Sequence, residues 1–147
     1  MTQFYYLSSK SPLETGTFGE KKTRSRKGNN VFETAADEAS ITVQKMSAAI
    51  PNLSYPHQYE ITSHLGDFGV NKGTLNELDQ KCLQTLMGYL TASIEKSFRL
   101  EFFTAWAGEE DLPAQKETKL ALEELLDPKQ LVLQNREKLI LNRHTYS

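Results

Sequence analysis

The chain has 147 residues, of which 38% are hydrophobic and 24% charged, with a net charge of −2. That length suits one domain, and its aliphatic and aromatic content excludes a wholly disordered chain. The slightly acidic balance argues against a nucleic-acid binder, which ordinarily carries a basic face.

Residues 3–8 (QFYYLS) are aromatic and short, which suits a first strand. Residues 9–30 hold Pro12, Gly16, Gly19 and Gly28 without a helical or strand period, and predict a long, partly mobile loop. Over 31–46 the strand signal is weak: Ile41 and Val43 alternate with Thr42 and Gln44, and 35–40 read as a turn. Pro51 and Pro56 frame a break. Residues 57–65 alternate cleanly, with Tyr59, Ile61, Ser63 and Leu65 on one face.

Thr74 and Glu77 have capping-box spacing ahead of a long helix over 75–96. Its Leu75, Leu78, Cys82, Leu83, Leu86, Leu90 and Ile94 recur every three or four residues, forming one apolar stripe. Residues 98–107 predict the strongest strand, with Phe98, Leu100, Phe102, Thr104 and Trp106 toward the core. An acidic turn at 108–111 leads to a second, shorter helix over 114–126, ended by Asp127-Pro128. Residues 131–133 and 138–142 read as a closing hairpin around Asn135-Arg136. The expected class is α+β: one domain over residues 1–147, with an antiparallel or mixed sheet and one long and one short helix on one face.

Three segments are candidate sites. The first is the glycine-rich connection Gly66, Gly69 and Gly73, which joins a strand to a helix, where backbone amides and the helix dipole favour an anion. The order Lys72-Gly73-Thr74 departs from the Gly-Lys-Ser/Thr ending of a phosphate loop, so only a weak anion site at Lys72, Gly73 and Thr74 is expected beside a plain flexible connector. Asp67-Phe68-Gly69 matches a kinase magnesium motif as a string, but the chain has no His-Arg-Asp loop and is too short for that fold.

The second is Glu109, Glu110 and Asp111. Three carboxylates could hold a divalent cation or supply a general base. They could equally complement a helix dipole as a solvated run. With Trp106 beside them they form a candidate protein-binding edge, since aromatics anchor interfaces.

The third is basic. Lys21, Lys22, Arg24, Arg26 and Lys27 hold five of the 17 lysines and arginines; the other 12 face 19 acidic residues, leaving −7. Such an arm could neutralise phosphates or dock on an acidic partner, or simply be solvated. It lacks an aromatic for base stacking.

Other residues read as structural. Cys82 lies on the apolar stripe, as a small hydrophobe would, and one cysteine cannot form an internal disulfide. His57 and His64 are an odd number apart on one strand and so should not share a metal. His144 has no ligand spacing with either. No metal or other cofactor is expected. No apolar run approaches the roughly 18 residues that span a bilayer, and residues 1–8 lack the regions of a secretory signal, so a cytoplasmic protein is expected. There the Asn52-Leu53-Ser54 sequon has no role.

These features favour a non-catalytic protein-binding or inhibitor module of the kind that immunity proteins exemplify, with electrostatic steering toward its partner. The alternative is a small enzyme or ligand-binding domain built from residues 66–74 and 109–111. Strand edges at 3–8 or in the terminal hairpin would allow a homodimer.

Overall fold

The structure, a computed structural model, describes residues 3–24, 28, 30–68 and 74–144, with Arg24 and Asn30 described by backbone alone. In chain order the elements are β1 (Gln3–Ser9), β2 (Gly16–Phe18), β3 (Thr23–Arg24), β4 (Asn30–Val31), α1 (Ala35–Glu38), β5 (Ser40–Lys45), β6 (His57–His64), α2 (Glu77–Ser97), β7 (Arg99–Trp106), β8 (Lys116–Ala121) and β9 (Glu137–Asn142). Seven strands form one sheet in the order β2-β5-β6-β1-β7-β9-β8. Every pairing in it is antiparallel except that of β8 with β9, so the sheet is mixed and the class is α+β. β3 and β4 form a separate two-stranded hairpin.

α2 forms because its apolar stripe has one sheet face to cover. Leu83, Leu86, Leu90 and Ile94 are buried against Leu7, Ile41, Ile61, Leu100 and Phe102. Cys82 is fully buried in this layer, its thiol within 3.5 Å of the Ser40 and His64 carbonyl oxygens, and burial pushes its pKa up. Gly66 lies against the helix so closely that a Cβ there would sit 2.4 Å from the Leu78 carbonyl oxygen. No described helix is long and apolar enough to cross a membrane.

Several expectations from sequence are corrected. The capping box is not Thr74 with Glu77. Asn76 caps α2: Asp79 N donates to Asn76 Oδ1 at 2.8 Å, and Asn76 N donates to Asp79 Oδ2 at 3.1 Å. Residues 9–30 are not one long loop, since they carry β2 and β3. The short helix is α1, in residues expected to turn, capped by Thr34 Oγ1 accepting from Asp37 N at 3.1 Å.

The expected helix over 114–126 is instead β8 followed by a 3-10 turn at Leu122–Glu124. Its Lys, Glu, Ala and Leu suit a helix, but that preference is weak. Parallel pairing of Lys116 through Ala121 with β9 overrides it, turning Thr118 and Leu120 inward and leaving Lys116, Glu117 and Lys119 exposed. Pro128 opens a second 3-10 turn, Pro128–Leu131, rather than closing a helix, with Asp127 Oδ1 accepting from Lys129 N at 2.9 Å. The closing hairpin is also absent: β9 runs between β7 and β8. β1 lies between β6 and β7, so neither β1 nor β9 offers a free edge for a second copy.

β7 is buried on both faces. Leu100 and Phe102 face α2, but Phe98 is the C-cap of that helix and is 58% exposed. The opposite face of the sheet carries a second apolar cluster of Tyr6, Phe103 and Ala105, covered by Ile50, Leu53 and Ala114.

Candidate functional site

The glycine-rich connection contains its own anion. Lys72 and Gly73 lie outside the described residues, and Thr74 is exposed. Asp79, nearly fully buried in the first turn of α2, accepts from Asn76 N and also, through Oδ1, from Asp67 N at 2.8 Å. A carboxylate in the first turn complements the helix dipole and satisfies amides that an external anion would otherwise find. Phe68 is fully buried, with its ring 4.7 Å from Tyr5 in an edge-on contact. The Asp67-Phe68 pair is thus a packing device.

The acidic turn is likewise tied inward. Asn135 Nδ2 donates to Glu109 Oε1 at 3.2 Å, and Arg136 Nε stands 3.6 Å from the same oxygen. Glu110 Oε2 accepts from Gly108 N at 2.9 Å. Asn52 Nδ2 donates to the carbonyl oxygens of Glu110 at 3.1 Å and Leu112 at 2.6 Å, while its Oδ1 accepts from Ala114 N. Trp106 N donates to Asn135 Oδ1 at 2.9 Å; its indole Nε1 is enclosed, with no hydrogen-bond partner among the described residues. Only Asp111 of the three acids is exposed. No described group of three or more His, Cys, Asp and Glu is placed to hold a metal ion. Residues 66–68 and 108–114 both follow strands that end beside the start of β1, but they fold onto opposite faces: Gly66 against α2, and Ala114 against the Phe103 cluster.

Sequence reasoning missed a buried ion pair beneath the acidic turn. Glu101 and Lys138 are 3% and 8% exposed and are paired through Glu101 Oε2. Glu101 Oε1 accepts from Ser8 Oγ at 2.8 Å and from Ser54 N at 2.6 Å; Lys138 Nζ also donates to the Asn52 carbonyl oxygen at 2.8 Å. Burial pushes the Glu101 pKa up, but Lys138, Ser54 and Ser8 outweigh it and hold the carboxyl below its ordinary range. The Asn52-Leu53-Ser54 string therefore supplies structural bonds at both ends. The pair satisfies its own polar groups and fastens residues 50–54 to the sheet.

The basic segment is built differently. Lys21, Lys22 and Arg24 lead into and along β3, which pairs with β4 through Thr23 with Val31 and Arg24 with Asn30. Arg26 and Lys27 lie outside the described residues. Lys21 N donates to the Asp37 carbonyl oxygen at 2.8 Å, and Lys22 Nζ sits 5.8 Å from the centroid of Phe32. Both lysines are exposed. Backbone pairing thus supports the segment while leaving these two side chains at the surface. α1, which receives Lys21, is itself held by Lys81 Nζ donating to the Ala36 carbonyl oxygen. His64 Nε2 stands 3.2 Å from Glu38 Oε1 on the same side.

A second basic feature, not foreseen, is a cleft of about 470 Å³ at the other end of the sheet, lined by Lys10, Phe98, Arg99, Asn142, Arg143 and His144 among others. Its residues are scattered along the chain, and no spacing signals them.

Compared with protein-family models, curated proteins and solved structures, the chain matches none.

Proposed function

We propose that the chain is a non-catalytic binding module that docks on an acidic partner protein through the β3–β4 hairpin, and acts as an inhibitor where that partner's working surface is covered. The observation that carries this reading is the contrast in charge placement. Five cations fall within residues 21–27 of a chain otherwise at −7, and the two whose side chains are described, Lys21 and Lys22, are exposed beside the paired strand β3. Such a patch raises the rate of encounter with an acidic surface. Fixing the backbone beforehand lowers the ordering cost of binding. The single buried cysteine suits a reducing compartment, so the partner is sought in cytoplasmic extract.

The test is affinity capture with the full chain and with the variant K21Q/K22Q/R24Q/R26Q/K27Q. The expected result is one stoichiometric protein that the parent retains and the variant loses, with retention falling as salt rises. Equal capture by both chains would overturn the assignment of the hairpin. Nucleic acid in place of protein would move the reading to phosphate binding.

A further inference from the structure

β8 is the last strand at its end of the sheet: it pairs with β9 on one side, and no described strand lies beyond it. The segments that flank it pack over the two faces of the sheet rather than across that edge. The crossover from β8 to β9 runs on the α2 side, where Leu125, Leu131 and Leu133 join the core, and Ala114 packs on the opposite face. Ala121 N donates to Glu124 Oε1 at 2.9 Å, which ends the strand. The edge open to a further strand is therefore residues 116–120, centred on Thr118.

Proteins commonly guard such an edge with lysines, which repel a second strand. β8 carries Lys116 and Lys119, but Glu117 stands between them. Lys116 turns to its own sheet, with Nζ 3.8 Å from Glu137 Oε2. Glu117 and Lys119 share the face opposite α2, and both are exposed. A second copy, turned about a two-fold axis through Thr118 and perpendicular to the sheet, sets Glu117 of each copy opposite Lys119 of the other. Lys116 then faces Leu120, where its aliphatic stem can cover the apolar side chain. Sliding the strands by one pair in either direction sets Glu117 against Glu117 or Lys119 against Lys119, and like charges directly opposite are unfavourable. The order of charges thus selects one register, whatever else Lys119 touches within its own chain.

The flanks of the strand give a second observation. Leu112, just before β8, is 43% exposed, and Leu126, just after it, is 81% exposed. Leu126 is not on a loose loop: Gln130 Oε1 accepts from Leu126 N at 2.7 Å and from Asp127 N at 2.9 Å. Antiparallel pairing brings the start of one β8 to the end of the other. Leu112 of one copy and Leu126 of the other then flank the joined strands at each end, and supply the apolar area that a short strand pair lacks by itself.

We propose that the chain forms a two-fold dimer by pairing β8 with β8 of a second copy, centred on Thr118, with both α2 helices on one side of a continuous sheet. The surface is self-complementary, as a two-fold contact requires. This inference is independent of the β3–β4 hairpin, which contributes no residue to this edge.

The test is sedimentation of the full chain. A contact of this size predicts a dissociation constant on the order of 10–100 μM, so the series runs from about 5 μM to about 1 mM. The expected result is a monomer that becomes a dimer across that range, with amide hydrogen exchange slowed at residues 116–120. E117K and K119E should each weaken the dimer about tenfold, since each replaces two attractive pairs by two repulsive ones. An equimolar mixture of the two should recover the parent's affinity as a mixed dimer, and so should the double variant E117K/K119E. Recovery requires folded chains, which separates a lost contact from a lost fold. A monomer over the whole range, or a dimer that neither single variant weakens, would overturn the proposal. So would protection at residues 16–18 in place of 116–120, or a mixture and a double variant that both stay monomeric.

Discussion

The acidic run 109–111 and the basic run 21–27 read alike as sequence, each a cluster of one charge between ordered elements. The fold treats them differently. Glu109 and Glu110 are spent inside the protein on Asn135, Arg136 and the Gly108 amide, while Lys21 and Lys22 stand exposed beside a backbone already paired. The lesson is that a charged run becomes a contact surface or a structural joint according to residues far away in sequence. Asn135 is one such residue, and nothing near 109–111 announces it.

The most engaged charge should show the largest effect. Glu101→Ala strands Lys138 in a buried setting and is expected to cost about 3–5 kcal/mol in denaturant unfolding. The double replacement Glu101→Leu with Lys138→Met should recover most of that loss, because it removes both desolvated charges together. A double variant as unstable as the single one would contradict the pairing.

The same pair sets a pH dependence. The folded pKa of Glu101 is lowered, so the unfolded chain binds its proton first as pH falls. Its stabilising contribution is therefore complete above the ordinary carboxylate pKa and is lost as pH falls through the lowered folded value. Glu101→Gln should flatten the acid limb of a stability-against-pH curve, and an unchanged limb would contradict the assignment.

Asn135→Ala should cost about 1–3 kcal/mol, because it leaves the Trp106 amide without its acceptor and removes one of the donors to Glu109. Asn76→Ala, at the α2 cap, should cost about 1 kcal/mol in thermal unfolding. Last comes K21Q/K22Q, which should change stability by no more than about 0.5 kcal/mol per position, as exposed charges do.

Much of the α2 face was legible. Its stripe from Leu78 to Ile94 repeats every three or four residues, and the alternation through Tyr59 and Ile61 marks β6. These are local periodicities, which a sequence displays directly. The other face of the sheet was not legible, because it rests on bonds such as Ser8 to Glu101 and Lys138 to Asn52, which join distant residues. β8 was hidden because Lys, Glu, Leu and Ala suit a helix until a parallel neighbour claims them. Of the candidate sites, both charged runs showed in sequence as densities of charge, but neither the inward bonds of Glu109 and Glu110 nor the pairing of β3 with β4 could be read from them. The cleft at Lys10, Arg99 and Arg143 is assembled by strand order alone.

The most direct test of the central claim compares partner affinity for three full-length chains across a salt series: the parent, the five-fold hairpin variant, and Glu109→Gln/Glu110→Gln/Asp111→Asn. The account predicts that the hairpin variant loses binding and its salt dependence, while the acidic-turn variant keeps both. Loss of binding in the acidic-turn variant with retention in the hairpin variant would contradict it.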